Sequence, residues 1–393
     1  MTSKEHNQLA GRHGKHTPLT SLSGNFGRNE WAIVGGYCTA VKHLADRVIS
    51  ALSPRYKCAY ADTLHNDEVV SLPGRLSSGA VLEYTDQINY QQYNYTTPIT
   101  PFRQRQLFAE ADIILVNGNH QPAKAQVVII DLNKKTSLQK RLEQLTNVQL
   151  LLLADNVDDV FDFIKESIPN WQQIPVYKLN ETDKIIGFFA EKLQQAKPVL
   201  NGLVLAGGKS TRMGFDKGSV NWHGKPQRYH MADMLKSLCN EVFISCRSGQ
   251  EETDAQYATL EDTFIGLGPY GAILSAFREK PDCAWLVIAC DLPLLDKKTL
   301  QYLVDNRDPS KLATTFGNGY EGFPEPLITI WEPKSYSVLL AFLVQGYSCP
   351  RKVLINTDAH LLTAPDASSL TNVNTPEELE KVKSILKQKI TTV

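Results

Sequence analysis

The sequence predicts an α/β protein made of two parallel-sheet domains in succession. Three observations lead there. Short continuous apolar runs alternate with stretches of helical spacing. A helix is stopped at Pro198, and a fresh apolar run opens at Leu200. In each half a glycine pair follows directly on a strand, Gly35-Gly36 and Gly207-Gly208. Continuous apolar strands imply sheets covered on both faces. Strand–helix alternation implies parallel crossovers.

Residues 1–29 are polar and lack periodicity, so they are expected to form a flexible N-terminal arm. Packed structure should begin at Trp31–Val34, followed by a helix from about Ala40 to Leu52 and a strand over Lys57–Ala61. The segment 63–105 is polar and rich in Tyr, Gln and Asn, suited to edge strands or loops. Ala111–Gly118, Val127–Ile130 and Val148–Leu153 read as buried strands, with a helix near Val157–Ser167. Residues 30–190 make the first domain, 191–200 the linker, and 201–393 the second domain. In the second domain the strands read Leu203–Ala206, Val242–Ser245, Ala284–Ala289 and Ala313–Thr315. Helices lie around Tyr229–Leu238 and Gly271–Arg278.

Composition narrows the function classes. The chain has 393 residues, 42% hydrophobic and 21% charged, with a net charge of −1. That length fits two or three domains of about 150 residues each. A balanced charge without a basic block argues against nucleic acid and membrane surfaces as partners. No apolar run reaches membrane-spanning length. The first residues lack the apolar core of a signal peptide, so a cytoplasmic location is expected. The seven cysteines form no C-x-x-C pair and read as reduced thiols. The nine histidines show no zinc spacing.

The chemistry concentrates in Leu205-Ala-Gly-Gly-Lys-Ser-Thr-Arg-Met-Gly-Phe-Asp-Lys217. Gly207 and Gly208 let a backbone approach a phosphate closely. The loop amides and the following helix start face an anion. Arg212 and Lys217 add two cations that could stabilise charge on a triphosphate in the transition state. A glycine turn with surface cations is the plain alternative for such a loop in isolation. Asp291, in Cys290-Asp-Leu-Pro293, ends a buried strand, where ligands gather in open α/β sheets. Mg²⁺ takes one or two carboxylates there, completed by phosphate oxygens and water. A helix-capping Asp is the plain alternative.

Taken together, these segments resemble the molybdenum cofactor guanylyltransferases, the MobA family of nucleotidyltransferases. The loop resembles that family's L-A-G-G-x-S-x-R-M-G-x-D-K. Asn221–Pro226 is similar to its Gly-Lys-Pro segment, and Glu261-Asp262 with Gly268-Pro269 to its acidic residue and Gly-Pro. Cys290–Pro293 resembles C-D-x-P, Glu325-Pro-Leu327 its His- or Gln-Pro-Leu, and Asn372–Leu379 its N-x-N-T-P-E-E-L. The resemblance covers about 197–390.

The resemblance implies a Rossmann-like, GT-A-like second domain that moves GMP from GTP onto molybdopterin phosphate with Mg²⁺. It implies Asp291 as metal ligand, and Asp291, Lys217 and Arg212 as catalytic. It places the nucleotide on Leu205, Ala206, Gly207, Gly208, Ser210, Gly214, Lys217, Ser245, Asp262 and Asp291. It places the acceptor near Arg351, Asn372 and Asn374. L-A-G-G rather than L-A-A-G implies guanine. Molybdoenzyme apoproteins and cofactor-delivery proteins are the partners it suggests. Two positions depart from the family pattern: Ser245-Cys246-Arg247 replaces an Asn-containing turn, and Glu325 replaces Gln or His. Two other readings stay open, a transferase for a sugar phosphate and a non-catalytic molybdopterin-binding scaffold.

The first half holds Gly36-Tyr-Cys-Thr-Ala-Val-Lys-His43 where a P-loop would read G-x-x-x-x-G-K-[ST]. Lys42 is kept, Val41 replaces a glycine, and His43 replaces the Mg²⁺-binding hydroxyl. Ala111–His120 resembles the D-x-V-L-V-E-G segment of the molybdopterin-guanine dinucleotide adaptor GTPases, the MobB family. That resemblance, over about 30–170, implies a P-loop-like domain with weakened or lost GTP hydrolysis; an unrelated α/β domain is the plain alternative.

Overall fold

The structure is a computed structural model and describes residues 25–63, 71–206, 217–247, 254–317, 322–373 and 375–391. The chain divides into two units, residues 1–195 and 196–393. No helix among the described residues is long and apolar enough to cross a membrane.

The first unit is built on β1 (Glu30–Val34), β2 (Cys58–Ala61), β5 (Ile113–Asn117), β6 (Ala125–Ile130), β7 (Val148–Leu153) and β8 (Val176–Lys178). They form one sheet in the order β2-β5-β1-β6-β7-β8, and every neighbouring pair runs parallel. The central strands β1, β5 and β6 are buried throughout, as their unbroken apolar runs require. The helix Cys38–Leu52 buries Val41, Leu44, Ala45, Val48 and Leu52, the spacing of one helical face. That face packs with Ile185, Phe188 and Phe189 of the helix Thr182–Gln195. The opposite side of the sheet meets Ile164 of the helix Asp162–Ser167.

Two segments differ from the reading of the sequence. Over 157–167 regular helix begins only at Asp162, although Val157, Val160 and Phe161 are buried. Asp159 accepts the amide of Val160 at 2.7 Å, a local bond that competes with helix. Packed chain also begins before Trp31, because the buried Glu30 carboxylate accepts the amides of Asn25, Phe26, Gly27 and Lys124. Within 63–105, β3 (Leu82–Asp86) and β4 (Gln91–Tyr95) pair as an antiparallel hairpin. Tyr84 packs against Tyr93 across it, with ring centroids 4.9 Å apart and the planes tilted by 41°.

The second unit carries β9 (Leu200–Leu205), β10 (Val242–Cys246), β11 (Ala258–Glu261), β12 (Ala284–Ala289), β13 (Ala313–Gly317), β14 (Pro324–Trp331) and β15 (Ala359–Leu362). Their order is β11-β10-β9-β12-β14-β13-β15. Only β14 runs against its neighbours. The residues of β12 alternate between two cores. Leu286 and Ile288 join Met231 and Leu235 of the helix Gln227–Lys236 and Leu300 and Leu303 of Lys297–Asp305. Trp285 and Val287 join Ile273 and Phe277 of the helix Pro269–Glu279 and Leu339 of Ser335–Val344. Burying each of these large side chains contributes about 1.5–3 kcal/mol. Beside this core lies a buried ion pair. The Arg307 guanidinium donates to Glu332 at 2.6 and 2.9 Å and to the Pro198 carbonyl at 3.0 Å.

Candidate active site at the strand ends of the second unit

Strand register gathers several of the singled-out residues at one edge of the sheet. Ser245 on β10 lies level with Leu205 on β9, and Leu205 lies level with Ala289 on β12. Leu260 on β11 lies level with Ser245. The chain therefore leaves four adjacent strands at one height, and Asp262 and Asp291 each follow two residues later. In an open parallel sheet this carboxyl edge is where ligands bind. The glycine loop starts from the same edge, directly after Ala206. Gly207, Gly208, Ser210, Arg212 and Gly214 lie outside the described residues, as does the side chain of Lys217. The Lys217 backbone opens a short turn, Lys217–Ser219.

The antiparallel strand β14 returns to that edge. Ile288 pairs with Ile328. Because the two strands are antiparallel, Asp291, three residues after Ile288, and Glu325, three residues before Ile328, come to the same end. Burial pushes the Glu325 carboxyl above its usual range; the Arg351 guanidinium opposes this, and the charge of Asp291 adds to it. Arg351, on the helix Pro350–Ile355, lies 3.5 Å from the Glu325 carboxylate. It also donates to the Pro324 carbonyl at 3.1 Å. Glu325, a departure from the family pattern, thus holds Arg351 in place. The tail segment arrives by a backbone bond: the amide of Val373 donates to the Asp291 carbonyl at 2.8 Å. This brings exposed Asn372 beside the Asp291 strand end. Asn374 lies outside the described residues.

The second departure, Ser245, has a defined partner. Its buried hydroxyl donates to Asp262 at 2.8 Å. The Asp262 amide donates to the Cys246 carbonyl at the same distance, 2.8 Å. Burial pushes the Asp262 carboxyl up, while the Ser245 hydroxyl and the Arg247 charge pull it back. A shorter side chain than Asn therefore spends its one hydroxyl proton on positioning the neighbouring carboxylate.

Reasoning from sequence passed over a polar cluster behind the Gly-Lys-Pro segment. Lys225 pairs with Asp233. Asp233 also takes Lys236 at 3.0 Å and the Tyr257 hydroxyl at 3.1 Å. Tyr257 stacks on Tyr229 with ring centroids 4.5 Å apart. His223 stacks on His230 at 4.0 Å, and its Nε2 lies 3.0 Å from the Pro293 carbonyl. The last contact ties this segment to the turn after Asp291. Only the Gly224-Lys225-Pro226 match signalled any of this in the sequence, because the partners lie up to 70 positions away.

Residues 202–360 match the family described as MobA-like NTP transferase domain. A bifunctional protein of molybdenum cofactor biosynthesis from Synechocystis is 32% identical over 201 residues, 51% of this chain and 58% of that relative's length. A molybdenum cofactor guanylyltransferase from Pseudomonas fluorescens is 31% identical over 46% of this chain and 92% of its own length. Among solved structures, molybdopterin-guanine dinucleotide biosynthesis protein A from Archaeoglobus fulgidus matches 48% of this chain and 99% of its own, at 21% identity and a TM-score of 0.41. The sheet order above, rather than that superposition, defines the fold. With nearly the full length of a guanylyltransferase matched above 30% identity, the chain belongs to the molybdenum cofactor guanylyltransferase family of MobA-like nucleotidyltransferases.

Proposed function

We propose that the second unit transfers GMP from GTP to the phosphate of molybdopterin and releases pyrophosphate. The observation that carries this reading is the meeting of Asp291, Glu325 and Arg351 at the strand edge from which the glycine loop springs. The family relation supports the nucleotidyl chemistry, and the names of the relatives support guanine and a molybdopterin acceptor.

The donor set at this edge fits a hard divalent cation. Asp291 supplies a carboxylate at a strand end, and its charge is felt by the Glu325 carboxyl. Mg²⁺ needs no more than one or two carboxylates when phosphate oxygens and water complete its shell. Asp291 is the proposed ligand. Bound there, the ion would neutralise phosphate charge.

The other roles fall to the chain itself. Gly207 and Gly208 give the backbone close approach to the nucleotide phosphates, along with Leu205, Ala206, Ser210 and Gly214. Arg212 holds the β- and γ-phosphates, and Lys217 the α-phosphate and bridging oxygen. Asp262, positioned by Ser245, contacts the nucleotide. Arg351 pairs with the acceptor phosphate, flanked by Asn372 and Asn374. An oxygen of that phosphate attacks the α-phosphorus, and the bond from phosphorus to the pyrophosphate oxygen breaks. The nucleophile is already an anion, so positioning and charge screening carry the catalysis.

The test is pyrophosphate release with GTP, ATP or CTP, molybdopterin and Mg²⁺, for the wild-type chain and Asp291→Ala. GTP-selective release that disappears in Asp291→Ala is expected. Equal turnover with all three nucleotides, or none in the presence of molybdopterin, overturns the guanylyl reading. Turnover that appears only with a sugar phosphate as acceptor moves the enzyme to another acceptor class.

A further inference from the structure

The first unit places an unexpected set of groups where a P-loop would cradle phosphate. Such a loop needs several residues between strand and helix. Here β1 ends at Val34 and helix begins at Cys38. Gly35 makes the turn at φ +102°, a conformation that L side chains rarely adopt. Val41 is buried at the close of the first helical turn, and Lys42 pairs with Asp62 at 3.6 Å. The phosphate nest is closed, and a carboxylate pairs with the retained lysine.

Three other side chains meet at these strand ends. The Cys38 sulfur lies 3.6 Å from Nε2 of His120. Nδ1 of His120 lies 2.8 Å from a carboxylate oxygen of Asp62. Cys38 follows β1, Asp62 follows β2, and His120 follows β5, three adjacent strands of the sheet. The carboxylate is fixed further by the Tyr60 hydroxyl at 3.1 Å and the Thr63 amide at 2.7 Å. The side chains of Asp62 and His120 are only 12% and 14% exposed, so their contact is sheltered from water. Cys38 is half-buried between exposed Tyr37 and Thr39.

Chemically, this is a nucleophile, a base and a group that orients the base. An imidazole that donates Nδ1–H to Asp62 leaves the Nε2 lone pair facing the thiol. Cys38 is also the first residue of a 15-residue helix with no side-chain cap and no acid in its first turn. The amides of a first helical turn, and the positive end of its dipole, favour an oxyanion beside it.

We infer that Cys38, His120 and Asp62 form a nucleophilic thiol site that accepts an acyl group from an activated ester or thioester. The Cys38 thiol proton passes to His120 Nε2 as sulfur bonds to the carbonyl carbon. The tetrahedral oxyanion faces the helix amides. Its collapse expels the alkoxide or thiolate, which takes the proton from His120 and leaves acyl-Cys38. Water attacks next, giving its proton to His120; release of the carboxylic acid restores the thiol. Asp62 is a positioning residue throughout.

The test uses the full chain and two probes. Iodoacetamide labelling is followed site by site by peptide mass spectrometry, and p-nitrophenyl acetate reports acylation. Cys349 is exposed and serves as the internal reference thiol. Half-buried Cys38 is expected to alkylate at least tenfold faster than Cys349. It is also expected to acquire one acetyl group as p-nitrophenol is released. His120→Ala and Asp62→Asn should slow both reactions by about 10²-fold, the usual worth of a positioned base. Cys58, its thiol pushed up to about 11 by burial, reports whether each variant keeps its fold by staying unlabelled. Three results overturn the inference: Cys38 no faster than Cys349 in the wild-type chain, unchanged rates in a folded His120→Ala, or rapid alkylation without acetylation. Where His120→Ala unfolds, Asp62→Asn and the wild-type comparison decide.

Discussion

Removing one partner of the Arg307–Glu332 pair should destabilise the second unit far more than removing both. Glu332 is fully buried, and Arg307 is 4% exposed. The guanidinium meets the carboxylate in a two-point fork at 2.6 and 2.9 Å and also caps the Pro198 carbonyl. Arg307→Met strips the fork and leaves a fully buried carboxylate without its partner. Stranding a buried charge in this way costs about 3–5 kcal/mol. With a urea slope of about 2 kcal/mol/M, the unfolding midpoint falls by about 1.5–2.5 M. The double change Arg307→Met with Glu332→Leu removes both charges, so its midpoint should stay within about 0.5 M of the wild-type value. Hydrogen exchange of peptides from β12 and β14 across a urea series reads the second unit alone. A single variant that loses under about 0.5 M refutes the reasoning, as does a double variant that falls as far as the single one. Either result would mean that water reaches the pair.

Three further outcomes are expected. Ser245→Ala removes a hydroxyl–carboxylate bond worth about 1.5–3 kcal/mol and lets Asp262 rise further; with Asp262 on the nucleotide, KM for GTP climbs at least about tenfold. Steady-state kinetics with an unchanged KM would take Asp262 off the nucleotide. Burial, with the charges of His223 and Lys225, lowers His230 from 6.5 to about 4. The unfolded chain then binds a proton that the folded chain refuses, so stability falls as pH drops from 6.5 toward 4. Melting temperatures of wild type and His230→Phe should converge in slope above that window and diverge within it; parallel curves throughout reject the buried neutral imidazole. Gly271→Ala gains helix propensity but drives a methyl group into the Phe264 carbonyl oxygen. A net loss of about 1–3 kcal/mol is expected, and a raised melting temperature would show that the helix can give way.

How much of this protein was legible before folding depends on whether the signal is local. Apolar runs such as Ala284–Ala289 declare buried strands because every side chain meets a core, whichever face it points to. The thirteen-residue loop and Cys290–Pro293 carry the family pattern in consecutive residues, so the family could be read from them directly. β14 escaped notice because it opens Pro-Glu-Pro and mixes threonine with its apolar residues, and antiparallel pairing on both sides is a property of its neighbours.

By itself, the sequence determined two α/β units, the strand that precedes each glycine turn, and the class of chemistry in the second. Tertiary structure alone decided that Asp291 and Glu325, 34 positions apart, share one sheet edge. It alone decided that Ser245 serves Asp262, and that His120 rather than His43 meets the group beside the closed P-loop. Helix and strand periodicity act over a few residues, and the code for them lies in adjacent positions. Contacts between strand ends depend on strand order and register, which arise only when all the apolar faces are buried together.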